Sequence, residues 1–133
     1  MACDLPRNSI MEQVICIVED DESIQDVLRI ILKRAGYGTC IFSDGQAIME
    51  NNYTTPDLFL IDKQLSGTDG LDICRHLKED QLTSSIPVIM MSAYPNAREL
   101  SKDSGADDFI EKPFHMEDLL ITIKKYTSSE AVV

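Results

Sequence analysis

Four short stretches of this chain carry side chains that can bind a metal ion and handle phosphate. Acids follow one apolar run at residues 19–22, as Glu-Asp-Asp-Glu, and Asp62 ends another. Ser92 and Lys112 close two further apolar runs. Carboxylates a few ångströms apart raise each other's pKa, and a hard cation such as Mg²⁺ removes that conflict while leaving room for a phosphate oxygen. These residue types therefore suit Mg²⁺-dependent phosphate chemistry if the fold brings them together.

Each of these side chains could act in Mg²⁺-dependent phosphate chemistry, although each could also have an ordinary structural role. An aspartate such as Asp62 can attack phosphorus to form an acyl phosphate. The hydroxyl of Ser92 can donate to a phosphoryl oxygen, and the compact cation of Lys112 can pair with that group. Taken alone, Asp62 fits a helix cap equally well. Asp21 and Glu22 are expected only to favour a helix N-terminus.

Strand-like and helix-like patterns alternate along the chain. Short continuous apolar runs predict buried strands, and apolar residues at helical spacing predict amphipathic helices. The predicted strands are residues 14–18, 37–42, 57–62, 88–91 and 107–111. The predicted helices are residues 22–35, 44–52, 71–78, 96–104 and 116–126.

This alternation predicts an α/β fold with a parallel sheet covered by helices on both faces. Right-handed crossovers favour a doubly wound five-stranded sheet in the flavodoxin-like order 2-1-3-4-5. Ligands of such sheets bind at the carboxyl ends of the strands, near the point where the strand order reverses. Strands 1, 3, 4 and 5 end there at Glu19, Asp62, Ser92 and Lys112. We therefore expect these side chains to share one shallow pocket.

Composition limits the kind of protein. A chain of 133 residues with 44% hydrophobic residues fits one ordered domain. We expect an N-terminal extension at 1–13, the domain at 14–126 and a frayed polar tail at 127–133. No apolar run approaches the roughly 18 residues of a membrane helix, and the start resembles no signal peptide. A cytoplasmic protein without membrane contact is expected.

The net charge and the cysteines indicate which partners and which redox environment to expect. The net charge of −11 opposes direct binding to nucleic acid, because an acidic surface is repelled by phosphates. The four cysteines form no pair with metal-ligand spacing. We expect all four to be reduced thiols.

The order of these motifs resembles the receiver domain of response regulators in two-component signalling. Five segments carry the resemblance: VEDD at 18–21, DLFLID at 57–62, LSGTDG at 65–70, PVIMMSA at 87–93 and DFIEKPF at 108–114. The resemblance as a whole covers residues 14–126, nearly the whole chain. The family commonly has proline where this chain has Ser66, so a looser loop is expected there.

The resemblance implies a metal and phosphate site with named residues. Asp62 would be the phosphoacceptor. Glu19 and Asp20 would form the acidic pair for Mg²⁺, with Asp20 the more direct ligand and Glu19 acting partly through water. Gln64 would offer its backbone carbonyl to the metal.

The resemblance also implies how the site would signal. Ser92 and Lys112 would contact the phosphoryl group, and Phe109 would be an aromatic switch that moves with Ser92. The Lys112–Pro113 peptide bond would be cis. An output protein would read the face formed by the fourth helix, the fifth strand and the fifth helix.

We therefore expect a phosphorylation-activated switch of a two-component phosphorelay. Asp62 would accept a phosphoryl group from a histidine kinase or phosphotransfer protein, and the domain would assist its own phosphorylation and dephosphorylation rather than act as an enzyme. The alternative is a Mg²⁺-dependent phosphohydrolase with an aspartyl-phosphate intermediate. Such enzymes usually carry an acid two residues after the nucleophile, where this chain has Gln64. A flavodoxin-like cofactor binder is disfavoured, because the acids after the first strand would repel a flavin phosphate.

Overall fold

Strands and helices alternate through the computed structural model of the protein, which describes residues 2–3 and 12–127. The strands that follow the predicted pattern are β1 (Val14–Val18), β2 (Gly38–Phe42), β3 (Leu58–Asp62), β4 (Val88–Ser92) and β5 (Asp108–Glu111). The helices are α1 (Glu22–Arg34), α2 (Gln46–Met49), α3 (Gly70–Glu79), α4 (Ala97–Asp103) and α5 (Met116–Tyr126). All ten elements lie where the sequence patterns predict them, with small differences at their ends.

The parallel part of the sheet has the predicted doubly wound order. Its strands lie in the order β2-β1-β3-β4-β5, and each neighbouring pair is parallel. A sixth strand, Ala2–Cys3, pairs antiparallel with β2 at the edge. The sequence analysis placed these two residues in an extension, because two residues are too few to show a period. The added strand covers the backbone groups that β2 would otherwise expose at the sheet edge.

The central strands are buried on both faces, which explains their continuous apolar runs. In β3, Phe59 and Ile61 belong to the layer packed against α2, α3 and α4. Leu58 and Leu60 belong to the opposite layer, with α1 and α5. All four side chains are fully buried. The strand is therefore held from both sides, and its carboxyl end at Asp62 has a defined position.

Local chemistry sets the helix ends. Asp21 caps α1, because its carboxylate accepts hydrogen bonds from the backbone N–H groups of Ser23 at 2.8 Å and Ile24 at 3.1 Å. The prediction that Asp21 acts as a cap is confirmed. The second helix is shorter than the predicted 44–52, because Asn51 adopts a left-handed backbone with φ of 58°.

Two of the cysteines are the reduced thiols that the sequence predicts, and one is not. Cys16 and Cys74 are buried free thiols, and burial raises their pKa to about 12 and about 11. Cys40 is disulfide-bonded, so the expectation of a reduced thiol is wrong for this residue. Cys40 lies in β2, beside the edge strand that the sequence analysis did not predict.

The ends of the domain are only partly described. Thr127, with which the predicted tail begins, is buried, and its hydroxyl lies 2.8 Å from that of Tyr37 and donates to the carbonyl oxygen of Ile123 at 3.1 Å. Residues 128–133, and residues 1 and 4–11 of the predicted extension, lie outside the described residues. Among the described helices, none has the length and apolar content needed to cross a bilayer.

Candidate functional site

Three acids meet where β1 and β3 end. Glu19, Asp20 and Asp62 each present a carboxylate oxygen, and these oxygens lie within 4.8 Å of one another. Glu19 and Asp62 are buried, at 1% and 4% exposure, whereas Asp20 is exposed. Oxygen ligands at the mouth of a pocket suit a hard divalent cation, which keeps part of its water. The structure thus brings together the acids that the strand order predicted.

Lys112 follows β5 and is the cation of this site. Its Nζ lies 2.9 Å from Glu19 Oε1 and 3.2 Å from Asp62 Oδ2. Burial alone lowers the pKa of Lys112, but the hydrogen bond to Glu19 and the charges of Asp62 and Glu19 outweigh burial, so the pKa is raised. The side chain is therefore a stable ammonium ion that bridges two buried carboxylates.

The charges at the site do not balance without a further cation. Burial raises the pKa of Glu19, against the opposing hydrogen bond from Lys112. When Glu19, Asp20 and Asp62 are all ionised, these three negative charges face, among the residues that the structure describes, only the positive charge of Lys112. The difference, 3 − 1 = 2, is the charge of one divalent cation. The donor set and its net charge both fit Mg²⁺.

Ser92 ends β4, the strand next to β3, and Phe109 lies in β5 beyond it. Ser92 is buried, and its Oγ accepts a hydrogen bond from the backbone N–H of Tyr94 at 3.0 Å. Its carbonyl oxygen accepts from the backbone N–H of Lys112 at 2.9 Å, which joins the ends of β4 and β5. Phe109 is also buried, and the guanidinium of Arg98 from α4 lies 5.0 Å from its ring centroid. The Lys112–Pro113 bond is cis, as expected.

Gln64 contacts Asp62 through its backbone N–H, whereas the expectation from the sequence concerned only its backbone carbonyl. Its backbone N–H donates to Asp62 Oδ1 at 3.2 Å. An isolated antiparallel bridge pairs Gln64 with Asp69 and closes the loop after β3. The loop therefore presents a donor to one oxygen of Asp62, while the ammonium of Lys112 lies nearer the other oxygen.

Two further residues that the sequence analysis missed hold the acidic pair. Ser66 donates to Asp20 Oδ2 from both its backbone N–H and its hydroxyl, each at 3.2 Å. Only a looser loop was expected at this position, whereas the serine joins the loop to the acidic pair. Gln25 of α1 donates its side-chain amide to the carbonyl oxygen of Glu19 and to Ser43 Oγ. A polar residue on the buried face of α1 was the available signal for Gln25.

Gly70 lets α3 begin directly against the backbone of the candidate phosphoacceptor. A Cβ at this position would overlap the carbonyl oxygen of Asp62 and lie 2.8 Å from the Cα of Lys63. The backbone N–H of Gly70 donates to the carbonyl of Lys63 at 3.0 Å. From the sequence, Gly70 was expected only to end a loop. Its role depends on close approach between two backbones, which no local pattern reveals.

Comparison with known proteins assigns this arrangement to a family. The family model of the response regulator receiver domain matches residues 15–124. The DNA-binding response regulator MtrA of Mycolicibacterium paratuberculosis is 38% identical over 117 residues, which cover 86% of this chain and 51% of MtrA. The chain belongs to the response regulator receiver domain family. It spans about half the length of the curated relatives it matches.

Solved receiver domains share the fold. The signal receiver domain of a signal transduction histidine kinase from Syntrophus aciditrophicus is 32% identical, with a TM-score of 0.80 over 91% of this chain and 97% of that one. The receiver domain of the sensor histidine kinase PA1611 from Pseudomonas aeruginosa is 27% identical, with a TM-score of 0.78 over 86% of this chain and 97% of that one. The PA1611 domain has a magnesium ion coordinated in its active site cleft. The predicted fold and family are thereby confirmed.

The close approach at Gly70 generates a stability prediction. Gly70→Ala should lower the free energy of unfolding by at least about 2 kcal/mol, because its Cβ would press on backbone atoms that cannot move freely. Gly67→Ala is the matched control: Gly67 has φ of 84° and open space around it, so only backbone strain of about 1 kcal/mol applies. Urea unfolding measures both values. Wild-type stability in Gly70→Ala would contradict the tight contact between α3 and β3.

Proposed function

We propose that this domain is a phosphorylation-activated switch of a two-component phosphorelay, with Asp62 as its phosphoacceptor. The main support for this proposal is the position of Asp62. Its buried carboxylate lies beside two further acids and 3.2 Å from the ammonium of Lys112. The donor would be a histidine kinase or a phosphotransfer protein. We keep residues 14–126 as the bounds of the domain.

Glu19, Asp20 and Asp62 would hold Mg²⁺, together with the backbone carbonyl of Gln64. This proposal is supported by the 4.8 Å cluster of carboxylate oxygens and by the two excess negative charges. When bound, the ion supplies positive charge to the oxygens of the transferring phosphoryl group. Lys112, whose Nζ lies 3.2 Å from Asp62 Oδ2, contributes a second positive charge.

Phosphoryl transfer would form one bond and break one. A carboxylate oxygen of Asp62 attacks phosphorus and forms the acyl-phosphate O–P bond, while the P–N bond to the donor histidine breaks and its electron pair stays on the imidazole nitrogen. The ammonium of Lys112 pairs with a phosphoryl oxygen, and the hydroxyl of Ser92 donates to another. Hydrolysis later restores Asp62 and releases phosphate. The domain acts on its own aspartate, so we do not regard it as an enzyme with a separate substrate.

Ser92 and Phe109 would carry the signal away from the pocket. Movement of the Ser92 hydroxyl towards a phosphoryl oxygen would change its contact with the backbone of Tyr94, which leads towards α4. Phe109 packs between the core and Arg98 of α4, so a shift of this segment would require Phe109 to repack. A groove of about 450 Å³ borders Arg98, Phe109 and α5. This α4–β5–α5 face would bind an output protein differently in the two states.

A second groove is suited to the phosphoryl donor. It measures about 480 Å³, lies beside Lys112 and is lined mainly by apolar side chains of α1 and of the segments after β4 and β5: Ile24, Val27, Ala93, Pro113 and Phe114. An apolar surface at the mouth of the site would let a protein donor dock with its phosphohistidine near Asp62. The net charge of −11 supports a domain that does not itself contact DNA. Any contact with DNA would belong to a separate output protein or domain, and we propose a cytoplasmic location.

The assignment of Asp62 leads to a labelling test. Acetyl phosphate with Mg²⁺ should add one phosphoryl group to the wild-type protein, and Asp62→Asn should abolish the addition, because the amide is a poor nucleophile. Asp21→Asn is the matched control, since among the described residues its carboxylate accepts only the hydrogen bonds of a helix cap, and the backbone N–H that it donates to Glu19 is kept in the variant. Intact-mass spectrometry reads the result. Equal labelling of wild type and Asp62→Asn would refute the assignment.

The charge imbalance predicts that Mg²⁺ stabilises the folded protein. At 100 times Kd, an ion that binds only the native state adds about 2.7 kcal/mol to the free energy of unfolding. Asp20→Asn should lose most of this gain, while its metal-free stability should rise because one of three repelling charges is gone. Thermal melts in EDTA and in Mg²⁺ measure both effects. A full Mg²⁺-dependent shift in Asp20→Asn would rule out Asp20 as a ligand.

The proposed switch predicts a difference in NMR spectra. Ser92→Ala should still accept the phosphoryl mimic beryllofluoride at Asp62, but the amide shifts around Phe109 and in α4 should be smaller than in wild type. The distant Ser84→Ala variant serves as the control and should respond like wild type. If Ser92→Ala shows shifts as large as wild type, the signal leaves the pocket by another route.

A further inference from the structure

Ser66 joins the loop between β3 and α3 to the acidic pair after β1. Its backbone N–H and its hydroxyl both donate to the same oxygen of Asp20, Oδ2, at 3.2 Å each. Among the described residues, these are the only hydrogen bonds that the Asp20 carboxylate accepts. The two residues are 46 positions apart in the chain, so the contact exists only because β1 and β3 are neighbours.

Asp20 needs such a contact more than the other two acids do. The carboxylates of Glu19 and Asp62 are buried and are held by Lys112. Asp20 is exposed, and within the described part of the chain no cation forms an ion pair with it, so neither burial nor an opposite charge restrains it there. A free exposed carboxylate loses rotational freedom when it binds a metal, and that loss weakens binding. The two donors from Ser66 remove part of this freedom beforehand.

The two carboxylate oxygens of Asp20 also differ in their hydrogen bonds. Both donors from Ser66 go to Oδ2, which leaves Oδ1 without a hydrogen bond from the described residues. Oδ1 therefore keeps its lone pairs for a cation.

We infer that Ser66 is a positioning residue that orients Asp20 and thereby strengthens Mg²⁺ binding. This inference rests on the proposed function of the acid cluster. Hydrogen-bond partners of metal ligands typically change metal affinity by about 10- to 100-fold. The effect of Ser66 lies at the lower end, because both bonds are long and the site is open to water.

Three variants of Ser66 separate its two donors. Ser66→Ala removes the hydroxyl and keeps the N–H, and should weaken Mg²⁺ binding about threefold. Ser66→Pro removes both donors and should weaken it about tenfold. Ser66→Thr keeps both donors and should restore wild-type affinity. Thr68→Ala removes a hydroxyl from the same loop that does not contact Asp20, and should leave affinity unchanged.

Calorimetric titration of the metal-free proteins with MgCl₂ measures these affinities without any reaction. Thermal melts in EDTA accompany the titration, since an effect through Asp20 should leave the metal-free melting temperature of Ser66→Ala nearly unchanged. Labelling with acetyl phosphate provides a third readout. The Mg²⁺ concentration for half-maximal rate should rise in Ser66→Ala, while the rate at saturating Mg²⁺ should equal that of wild type.

The outcomes distinguish this inference from the proposed function. Weaker binding in Ser66→Ala, recovery in Ser66→Thr and no change in Thr68→Ala support the positioning role. Equal binding in wild type and Ser66→Ala overturns it, and tighter binding overturns it too, because the serine would then compete with the cation for Oδ2. Wild-type protein that fails to bind Mg²⁺ at all would instead defeat the proposed metal site.

If Ser66 acts by orienting Asp20, its effect on Mg²⁺ affinity must depend on the Asp20 carboxylate. In an Asp20→Asn background, Ser66→Ala should cause no further loss of the remaining Mg²⁺ affinity, because the carboxylate that Ser66 orients is gone. An equal threefold loss in both backgrounds would show that Ser66 acts on the loop as a whole, and would overturn the inference in its stated form.

Discussion

Repulsion among three carboxylates beside a single ammonium is the constraint on which the rest of this structure depends. Glu19 and Asp62 are buried next to Lys112, and Asp20 lies at the rim within reach of both acids. Like charges this close repel one another, and after burial the charge of Asp62 is among the causes that raise the pKa of Glu19. The same imbalance makes the site responsive, because a divalent cation or a phosphoryl group alters the balance of charge and the packing around it must adjust.

The fold resists this repulsion by restraining backbones rather than by adding charge. The two faces of β3 are covered by different helix layers, so Asp62 stands at the end of a fixed strand. Gly70 brings α3 against the backbone of Asp62, and Gln25 of α1 holds the carbonyl of Glu19. Ser66 holds the exposed Asp20. Because these contacts add no positive charge to the site, its two excess negative charges remain for a metal ion to neutralise.

The architecture, and the edge of the sheet where the site lies, could be predicted from the order of residue types along the chain. A strand buried on both faces must be a continuous apolar run, so β1, β3 and β4 could be read directly from the chain. Right-handed crossovers then left few strand orders. Glu19, Asp62, Ser92 and Lys112 follow such runs, and their common location at one edge could be predicted before any distance was known.

Tertiary structure alone decided which atoms meet at that edge and what holds them there. The donors from Ser66, the space that requires Gly70, the edge strand Ala2–Cys3 and the disulfide bond of Cys40 were not predictable. Periodicity reports whether a residue faces the core, whereas these features depend on the distance between segments far apart in the chain. The physical reason is that burial is repeated along each element and leaves a pattern, but a single hydrogen bond or close contact between two elements occurs once and leaves none.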